Sequence, residues 1–184
     1  MLFRSGLGNP GSRYAKTRHN VGWMAVDALL DEHAGAWRAK HHGRYAEVRI
    51  GETAVALLAP ETFMNDSGRS VGACVRDLRL GVEDVIVVYD DIELDPGRVR
   101  ARAGGGLKGH NGLRSMADAL GSPDFLRVRC GVGRPGRGDP RDVAAYVLSA
   151  FESDEDPDAL AAEAARCATA IAVDGIAEAE RRWP

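Results

Sequence analysis

Short apolar and β-branched runs, each bounded by Gly, Pro or Asp, alternate along this chain with segments of helical periodicity. The runs predict strands near residues 2–7, 44–50, 53–59, 84–89, 97–102 and 126–132. Apolar residues recur at helical spacing over residues 21–29, 71–78 and 113–120. The order predicts an α/β fold, in which a mixed, mostly parallel twisted sheet is flanked by helices on both faces.

Local signals refine this outline at three places. Gly51-Glu52 separates two predicted strands and indicates a hairpin. Asp139-Pro140 is typical of a helix cap followed by a proline in the first turn, and the alanine-rich residues 156–180 predict a terminal helix. We find no repeat, linker or low-complexity tract, so residues 1–184 are predicted to form a single domain.

The chain is expected to be a cytoplasmic protein. Its first residues lack the continuous apolar core of a signal peptide, and its longest apolar runs are far too short to span a bilayer. The three cysteines, Cys74, Cys130 and Cys167, are odd in number and widely spaced, which argues against a disulfide framework. These features favour a reducing compartment.

Charge is distributed unevenly along the chain, although the formal net charge is only −3. Residues 98–141 contain 10 Lys/Arg and 3 Asp/Glu, a local net charge of +7. Residues 142–184 contain 3 Lys/Arg and 10 Asp/Glu, a local net charge of −7. A basic segment rich in arginine and glycine suits a polyanion such as RNA, although a solvated basic face balanced by an acidic helix is the alternative.

Two segments match the dinucleotide-binding pattern G-x-G-x-x-G, at residues 6–11 and 104–109. A true dinucleotide turn follows a buried strand and opens directly into a helix. The first segment contains Pro10 and reaches helical periodicity only near Asn20, whereas the second follows a strand with one basic face. We therefore predict no nicotinamide or flavin cofactor.

Residues 68–72 match the nucleophile elbow G-x-S-x-G, and Asp90 and His110 follow in the order of a catalytic triad. An elbow requires a strand that runs directly into the serine, but Ser70 falls inside a predicted helix. A small residue on a helix face is the simpler interpretation of Ser70. The spacing of the histidines along the chain also predicts no three-ligand metal site.

Polar side chains at the ends of predicted strands and helices form the remaining candidate site. An imidazole, a carboxylate and several amides, without a credible nucleophile or metal, suit direct attack of water on an acyl carbon. His19 can act as general base, and Asp90 can set its tautomer and stabilise the imidazolium. Asparagine amides such as those of Asn65 and Asn111 can donate to an oxyanion.

Each of these residues also has a structural interpretation. A single histidine before a helix is more often a cap or a surface residue than a catalyst. Asn65 and Asn111 could merely cap the helices that they precede, and Asp90 could be an ordinary turn residue, as Asp91 is expected to be. Considered separately, none of these residues establishes a function.

Considered together, the motifs closely resemble those of the bacterial-type peptidyl-tRNA hydrolase family. The resemblance lies in GLGNPGSRYAKTRHNVG at residues 6–22, PETFMNDSG at 60–68, VVYDDIELDPG at 87–97 and GGGLKGHNGL at 104–113. RVRCGVGRPG at 127–136 and YVLSAF at 146–151 agree as well. The resemblance covers nearly the whole chain in order.

The resemblance implies hydrolysis of the ester that joins a peptide to the 3′-terminal ribose of tRNA, which recycles tRNA from prematurely released peptidyl-tRNA. It implies that His19 activates water with the help of Asp90, that Asn65 and Asn111 hold the substrate or the oxyanion, and that Asn9 selects N-blocked esters. It further implies that Tyr14 and Phe63 line the site at the acceptor end of the tRNA. A tRNA phosphate would be bound by Arg100, Arg102 and Arg129. The resemblance also implies a monomer without metal or cofactor.

One departure from the family pattern concerns the first strand, where Arg4 and Ser5 interrupt an apolar run. A central strand is normally buried on both faces, so this departure bears on stability more than on chemistry. Two rival functions remain open. One is a non-catalytic RNA-binding protein on the same scaffold, and the less favoured one is a Ser70 esterase.

Overall fold

The computed structural model describes residues 1–184, and its seven strands form one sheet. The strands are β1 (Leu2–Gly6), β2 (Arg38–Lys40), β3 (Gly43–Ile50), β4 (Thr53–Pro60), β5 (Val85–Asp91), β6 (Val99–Ala103) and β7 (Leu126–Gly131). Their order across the sheet is β2-β3-β4-β1-β5-β7-β6. Five strands run in the same direction, and only β3 and β6 run antiparallel to their neighbours. The sheet is thus mixed and mostly parallel, as predicted.

Six helices flank the sheet: α1 (Val21–Glu32), α2 (Ser67–Leu78), α3 (Asn111–Leu120), α4 (Val143–Val147), α5 (Pro157–Val173) and α6 (Ile176–Arg182). Helices α1 and α5 pack together on one face, and α2 and α3 pack together on the other. The predicted α/β architecture with helices on both faces is therefore confirmed. None of the helices has the length and apolar character that crossing a membrane requires.

The first helix begins directly against the centre of the sheet because glycines allow a close approach. A Cβ atom on Gly22 would lie 2.4 Å from the carbonyl oxygen of Val88 in β5, and one on Gly6 would lie 2.0 Å from the carbonyl oxygen of Gly22. Any larger side chain at either position would push α1 away from β1 and β5. The turn before α1, which carries His19, is consequently held beside the end of β5.

Arg4 is fully buried in the central strand β1 and reaches the helix α5 on the first face. Its Nε and Nη2 atoms donate to the carbonyl oxygen of Ala168, at 3.1 and 2.7 Å. Burial lowers the pKa of Arg4 to about 10, and no carboxylate pairs with it. The adjacent Ser5 is also buried, and its hydroxyl has no partner within the chain. A helix carbonyl rather than solvent therefore accommodates the charge that interrupts the first strand.

The structure departs from the sequence prediction in three local features. The short strand β2 was not predicted, because its three residues are all exposed and lack an apolar run. Helix α4 begins after Asp142, whose side chain accepts from the Ala145 N–H, so the cap predicted at Asp139-Pro140 is wrong. The terminal helix is two helices, and α6 begins after Gly175, which has a φ of 85°. The hairpin at Gly51-Glu52 is confirmed.

Candidate active site

A cavity of about 790 Å³ opens at the carboxyl ends of β1 and β5, where ligands commonly bind in open α/β sheets. We call it the catalytic cavity. Six of the candidate site residues from the sequence line it: Asn9, His19, Phe63, Asn65, Asp90 and Asn111. The remaining candidates, Tyr14, Arg100, Arg102 and Arg129, lie outside its lining.

His19 and Asp90 form a close polar contact in this cavity. His19 lies in the 3-10 turn Arg18–Asn20 that leads into α1, and Asp90 lies in β5. The imidazole Nδ1 is 2.8 Å from Oδ1 and 2.9 Å from Oδ2 of the aspartate, whose side chain is almost completely buried. If Nδ1 donates its hydrogen to the carboxylate, the lone pair of a neutral His19 is on Nε2.

A second histidine, His110, also contacts Asp90, a contact that the sequence prediction did not assign. Its Nδ1 accepts from the main-chain N–H groups of Gly112 and Leu113, at 3.1 and 3.3 Å. That nitrogen therefore carries a lone pair, and the hydrogen of a neutral His110 must be on Nε2. Nε2 is 3.0 Å from Asp90 Oδ1 and donates to it. The main chain of α3 thus fixes the tautomer of His110.

Burial and neighbouring charges shift the pKa values of His19 and Asp90 in opposite directions. Burial lowers the pKa of His19, but the charge of Asp90 and their hydrogen bond raise it more, so the net pKa is above the usual value. Burial raises the pKa of Asp90, but its interactions with His19 and His110 outweigh this effect and hold the pKa well below its usual range. Asp90 therefore remains ionised throughout the neutral pH range.

The same three side chains bring possible metal ligands together, which their spacing along the chain did not predict. One donor atom from each of His19, Asp90 and His110 lies within 4.8 Å of the other two. However, Nε2 of a neutral His110 is a hydrogen-bond donor to the carboxylate, because His110 Nδ1 already accepts from the main chain. The donor set fits a hydrogen-bonded carboxylate better than a metal cluster.

Asn9 is held by main-chain contacts that leave one of its groups free. The side chain of Asn20 accepts from the N–H of Asn9 at 2.9 Å and donates to its carbonyl at 3.0 Å. Asn9 Oδ1 accepts from the N–H of Met64 at 2.7 Å. Only the Nδ2 group of Asn9 lacks a partner within the chain, so the residue can offer a donor at the cavity.

Asn65 and Asn111 are exposed, and neither side chain forms a hydrogen bond within the chain. Neither is a helix cap, since the cap of α3 is His110 and that of α2 is Asp66. The capping interpretation considered for these residues is therefore wrong. Both amides are available to a ligand.

One wall of the catalytic cavity comes from α4 and was not predicted. Val143, Ala144, Val147 and Leu148 supply its apolar surface. Nothing in the polar motifs points to this wall, because its residues follow the basic segment along the chain and carry no functional group. Their role in lining the cavity depends on tertiary packing.

Arg18, next to His19, ties this wall to the turn that carries the histidine. Its fully buried guanidinium donates to Ser149 Oγ at 2.8 Å, to the Ala150 carbonyl at 2.6 Å and to Glu155 at 2.5 Å. It also lies 4.1 Å from the ring centroid of Tyr146 in α4. Arg18, which directly precedes His19, thus links the turn that carries His19 to the segment that ends α4.

Ser70 lies inside α2 and outside the catalytic cavity. Its hydroxyl donates to the carbonyl oxygen of His41 at 2.6 Å, and no imidazole nitrogen accepts from it. The geometry therefore favours the interpretation of Ser70 as a small buried helix residue.

Four arginines lie side by side on β6 and β7, outside the lining of the catalytic cavity. Arg100 pairs in register with Arg129, and Arg102 with Arg127, so the four side chains share one face. Arg100 and Arg102 are exposed and form no ion pair. We call Arg100, Arg102 and Arg129 the arginine surface.

Two of the candidates contact groups that their proposed roles did not anticipate. Arg129 donates from Nε to Asp91 at 2.7 Å, and its side chain is mostly buried. Asp91 is likewise buried, which corrects its interpretation as an ordinary turn residue. Tyr14 lies in a 3-10 turn with the guanidinium of Arg13 4.5 Å from its ring centroid.

Comparison with known proteins identifies the family of this chain. The family model described as peptidyl-tRNA hydrolase matches residues 4–183. The chain belongs to the peptidyl-tRNA hydrolase family. A relative of that name from Anaeromyxobacter dehalogenans strain 2CP-C is 48% identical over 178 residues, which is 95% of this chain and 91% of the relative.

Other members of the peptidyl-tRNA hydrolase family extend the comparison. The relative from Ruegeria pomeroyi is 51% identical over 153 residues, which is 82% of this chain. The match spans only 63% of the length of that relative, and the same share of the one from Paracoccus denitrificans. A crystal structure of peptidyl-tRNA hydrolase from Acinetobacter baumannii superposes with a TM-score of 0.87 at 34% identity, over 99% of this chain and 93% of that one.

Proposed function

We propose that this chain hydrolyses the ester bond between a peptide and the 3′-terminal ribose of tRNA, and so recycles tRNA from prematurely released peptidyl-tRNA. The observation that carries this proposal is the contact of His19 Nδ1 with the buried carboxylate of Asp90, which leaves Nε2 available as a base. The names of the relatives support the choice of substrate.

In the proposed mechanism, His19 Nε2 removes a proton from water while the water oxygen attacks the acyl carbon. The positive charge that forms on the imidazole is stabilised by Asp90, which does not itself take the proton. When the tetrahedral intermediate collapses, the bond from carbon to the ribose oxygen breaks and the imidazolium returns the proton to that oxygen. The products are a peptide with a free carboxyl group and an intact tRNA.

The free amides assist this reaction in two ways. Asn65 and Asn111 hold the substrate or donate to the oxyanion, and loss of such a donor typically lowers turnover on the order of 10²- to 10³-fold. Asn9 binds the amide next to the ester through its Nδ2 group. A site that matches a neutral amide rejects a free aminoacyl ester, which has a charged ammonium at that position.

The tRNA part of the substrate extends toward the arginine surface. Arg100 and Arg102 are exposed cations without carboxylate partners, and such groups bind phosphates by releasing counterions. Arg129 adds a third guanidinium, part of which is neutralised by Asp91. Tyr14 and Phe63 line the acceptor end, where the exposed ring of Phe63 can contact a base.

The proposed reaction needs no metal or organic cofactor, because water, a base and oxyanion donors are sufficient. We further propose that the protein acts as a monomer in the cytoplasm. Its three cysteines are buried free thiols, which is compatible with a reducing compartment.

The deciding experiment compares release of the acyl group from N-acetyl-aminoacyl-tRNA and from unblocked aminoacyl-tRNA. We expect rapid release from the blocked substrate only, and loss of this release in His19→Ala. Equal slow release from both, unchanged in His19→Ala, would favour the alternative of a non-catalytic RNA-binding protein, which the arginine surface alone could support.

A further inference from the structure

Residues 104–109, which we call the glycine loop, join the arginine surface to the catalytic cavity. The loop follows β6, whose Arg102 belongs to the arginine surface, and leads directly to His110. Three of its residues line the catalytic cavity: Leu107, Lys108 and Gly109. A substrate that extends from the catalytic cavity to the arginine surface therefore has this loop beside it.

A buried arginine of β7 holds the first half of the glycine loop. Arg127 is only 2% exposed, and its Nη1 and Nη2 atoms donate to the carbonyl oxygens of Gly106 and Gly105, at 2.7 and 2.6 Å. Nη2 also donates to the carbonyl oxygen of Pro123 at 2.9 Å. The loop is thus anchored to the sheet, and this anchor determines where Lys108 lies at the cavity.

Lys108 has a main-chain conformation that is unusual for its residue type. Its φ is 46°, in the left-handed region, where the Cβ atom of any residue other than glycine is crowded. The chain provides no polar contact in return, because Lys108 is exposed and its ammonium forms neither a hydrogen bond nor an ion pair. Residues held in such conformations cluster at ligand-binding sites. The conformation and the position of Lys108 together favour a contact with the substrate.

The charges in the catalytic cavity indicate what kind of group Lys108 can bind. Besides the histidines, the lining contains two cations, Lys108 and Arg134. Arg134 forms an ion pair with Glu93. The two carboxylates of the lining, Asp90 and Asp91, are buried and occupied by the contacts described above. Lys108 is therefore the one cation of the lining without a carboxylate partner, and it suits an anionic group of the substrate.

The chemistry of the substrate identifies this anionic group. The ester and the blocked amino group of a peptidyl-tRNA are neutral, but a phosphodiester is attached to the same ribose as the ester. Only that ribose separates the phosphodiester from the bond that His19 would attack. A lysine ammonium is a point charge on a flexible stem, so it can bind a phosphate without a fixed geometry. The arginine surface lies outside the cavity lining and suits phosphates further along the RNA.

We propose that Lys108 binds the phosphodiester that joins the last two nucleotides of the tRNA. This inference rests on the proposed function. It divides the phosphate contacts into two sets, with Lys108 at the phosphate next to the ester and the arginine surface at distant phosphates. It predicts that the chain distinguishes a charged from a neutral linkage at the last nucleotide even in a very short substrate.

The test uses one N-acetylated aminoacyl group esterified to the dinucleotide CpA or to its analogue with a neutral methylphosphonate linkage. We expect kcat/KM to be about 10-fold higher for the CpA ester, as one hydrogen bond to a charged group provides. Lys108→Met keeps the length of the side chain and should abolish this preference without changing kcat/KM for the neutral analogue. Lys108→Arg keeps the charge and should restore most of the preference.

Two control variants separate Lys108 from the other cations. Lys16→Met removes another exposed lysine without a carboxylate partner, outside the cavity lining, and should keep the preference. Arg102→Ala should also keep it while weakening the binding of tRNA, because the arginine surface lies outside the cavity lining. Loss of the preference in either control would show a general effect of protein charge and would overturn the assignment to Lys108.

A second measurement does not depend on hydrolysis. CpA without an acyl group is added to the ¹⁵N-labelled chain, and the main-chain amide resonances of Lys108 and Gly109 should shift. The Kd obtained from these shifts should be about 10-fold lower for CpA than for its methylphosphonate analogue. In Lys108→Met the two Kd values should be equal. Equal values in the unsubstituted chain would contradict the proposal.

The outcomes separate this inference from the proposed function. Hydrolysis of the CpA ester and its neutral analogue at equal kcat/KM would overturn the inference and leave the function intact. A preference that persisted in Lys108→Met would place the phosphate contact on another residue. If no ester were hydrolysed, including that of tRNA, the proposed function would be wrong, and the titration would still decide whether Lys108 binds the phosphodiester.

Discussion

The catalytic cavity and the arginine surface meet at two adjacent aspartates of β5 but differ in how their charges are held. Asp90 is buried between two imidazoles, and His110 is itself fixed by main-chain donors of α3. Asp91 pairs with Arg129 at the border of the arginine surface, whose other members, Arg100 and Arg102, extend freely into solvent. One region has a fixed and buried arrangement, and the other presents two exposed cations without carboxylate partners.

This difference follows from what each region does in the proposed reaction. A general base must have one tautomer and one orientation, and burial strengthens the electrostatic contact that provides them. Phosphate binding depends on counterion release, which exposed cations achieve without precise geometry. Substitutions in the catalytic cavity should therefore lower turnover, whereas substitutions in the arginine surface should lower the affinity for tRNA.

The largest effect is expected for His19→Ala. Removing the base should lower kcat at least about 10²-fold with little change in tRNA affinity, since a general base acts in the transition state. Single-turnover hydrolysis and tRNA binding, measured separately, test this distinction. Ser70→Ala is the control and should keep full turnover. Loss of activity and of fluorophosphonate labelling in Ser70→Ala would instead revive the serine esterase.

A somewhat smaller loss, about 10- to 10²-fold in kcat, is expected for Asp90→Asn, which keeps the shape but removes the charge. The substitution should also move the acid limb of the pH–rate profile. The catalytic form of His19 is neutral, so activity falls as the pH drops through its pKa, which Asp90 raises. Without that charge the pKa decreases, and the limb should shift to lower pH. An unchanged limb would mean that His19 is not the titrating base.

An intermediate effect is expected for Arg18→Met, which removes the tie between the His19 turn and the α4 wall. Because the guanidinium is fully buried and partly paired with Glu155, we expect a loss of about 2–4 kcal/mol in the free energy of unfolding. Denaturant unfolding measures this loss, and Arg18→Lys should restore part of it. The exposed Arg76→Met is the control, and an equal loss in both variants would contradict the structural role of Arg18.

The smallest effects are expected for Arg100→Ala and Arg102→Ala. Each should weaken tRNA binding and reduce the slope of log affinity against log salt by about one, with kcat unchanged. Arg49→Ala serves as a control, because Arg49 is also an exposed arginine on an antiparallel strand but lies on β3, near the other edge of the sheet. Slopes that were unchanged in both arginine-surface variants would place the RNA-binding surface elsewhere.

Much of the fold was predictable because the signals are local. The six predicted strands all exist, since apolar runs bounded by turn residues reflect the pleat and burial of each strand. The exposed strand β2 and the cap of α4 were not predictable in the same way. A three-residue edge strand has no hydrophobic pattern, and Asp139-Pro140 has the composition of a cap without the following periodicity.

The candidate site was predictable in its polar residues and not in their surroundings. Asn9, His19, Asn65, Asp90 and Asn111 do line one cavity, as the resemblance to the family implied. The sequence did bring Asp90 and His110 together, but only in the order of a catalytic triad with Ser70, and their direct contact was not predicted. The motifs at residues 6–22 and 146–151 contain Arg18 and part of the α4 wall, but they do not predict that these segments meet, because the contacts join residues more than 100 positions apart.

By itself, the amino-acid sequence determined the α/β class and the family, and it predicted the type of chemistry, because local periodicity and motif residues carry this information. Tertiary packing determined which of the two nitrogens of each histidine faces Asp90, that Asp91 pairs with Arg129, and that Arg4 contacts a helix carbonyl. Such contacts depend on distances between segments that are remote along the chain. These distances are set by the close approach of α1 to the sheet at Gly6 and Gly22 and by the order of the strands.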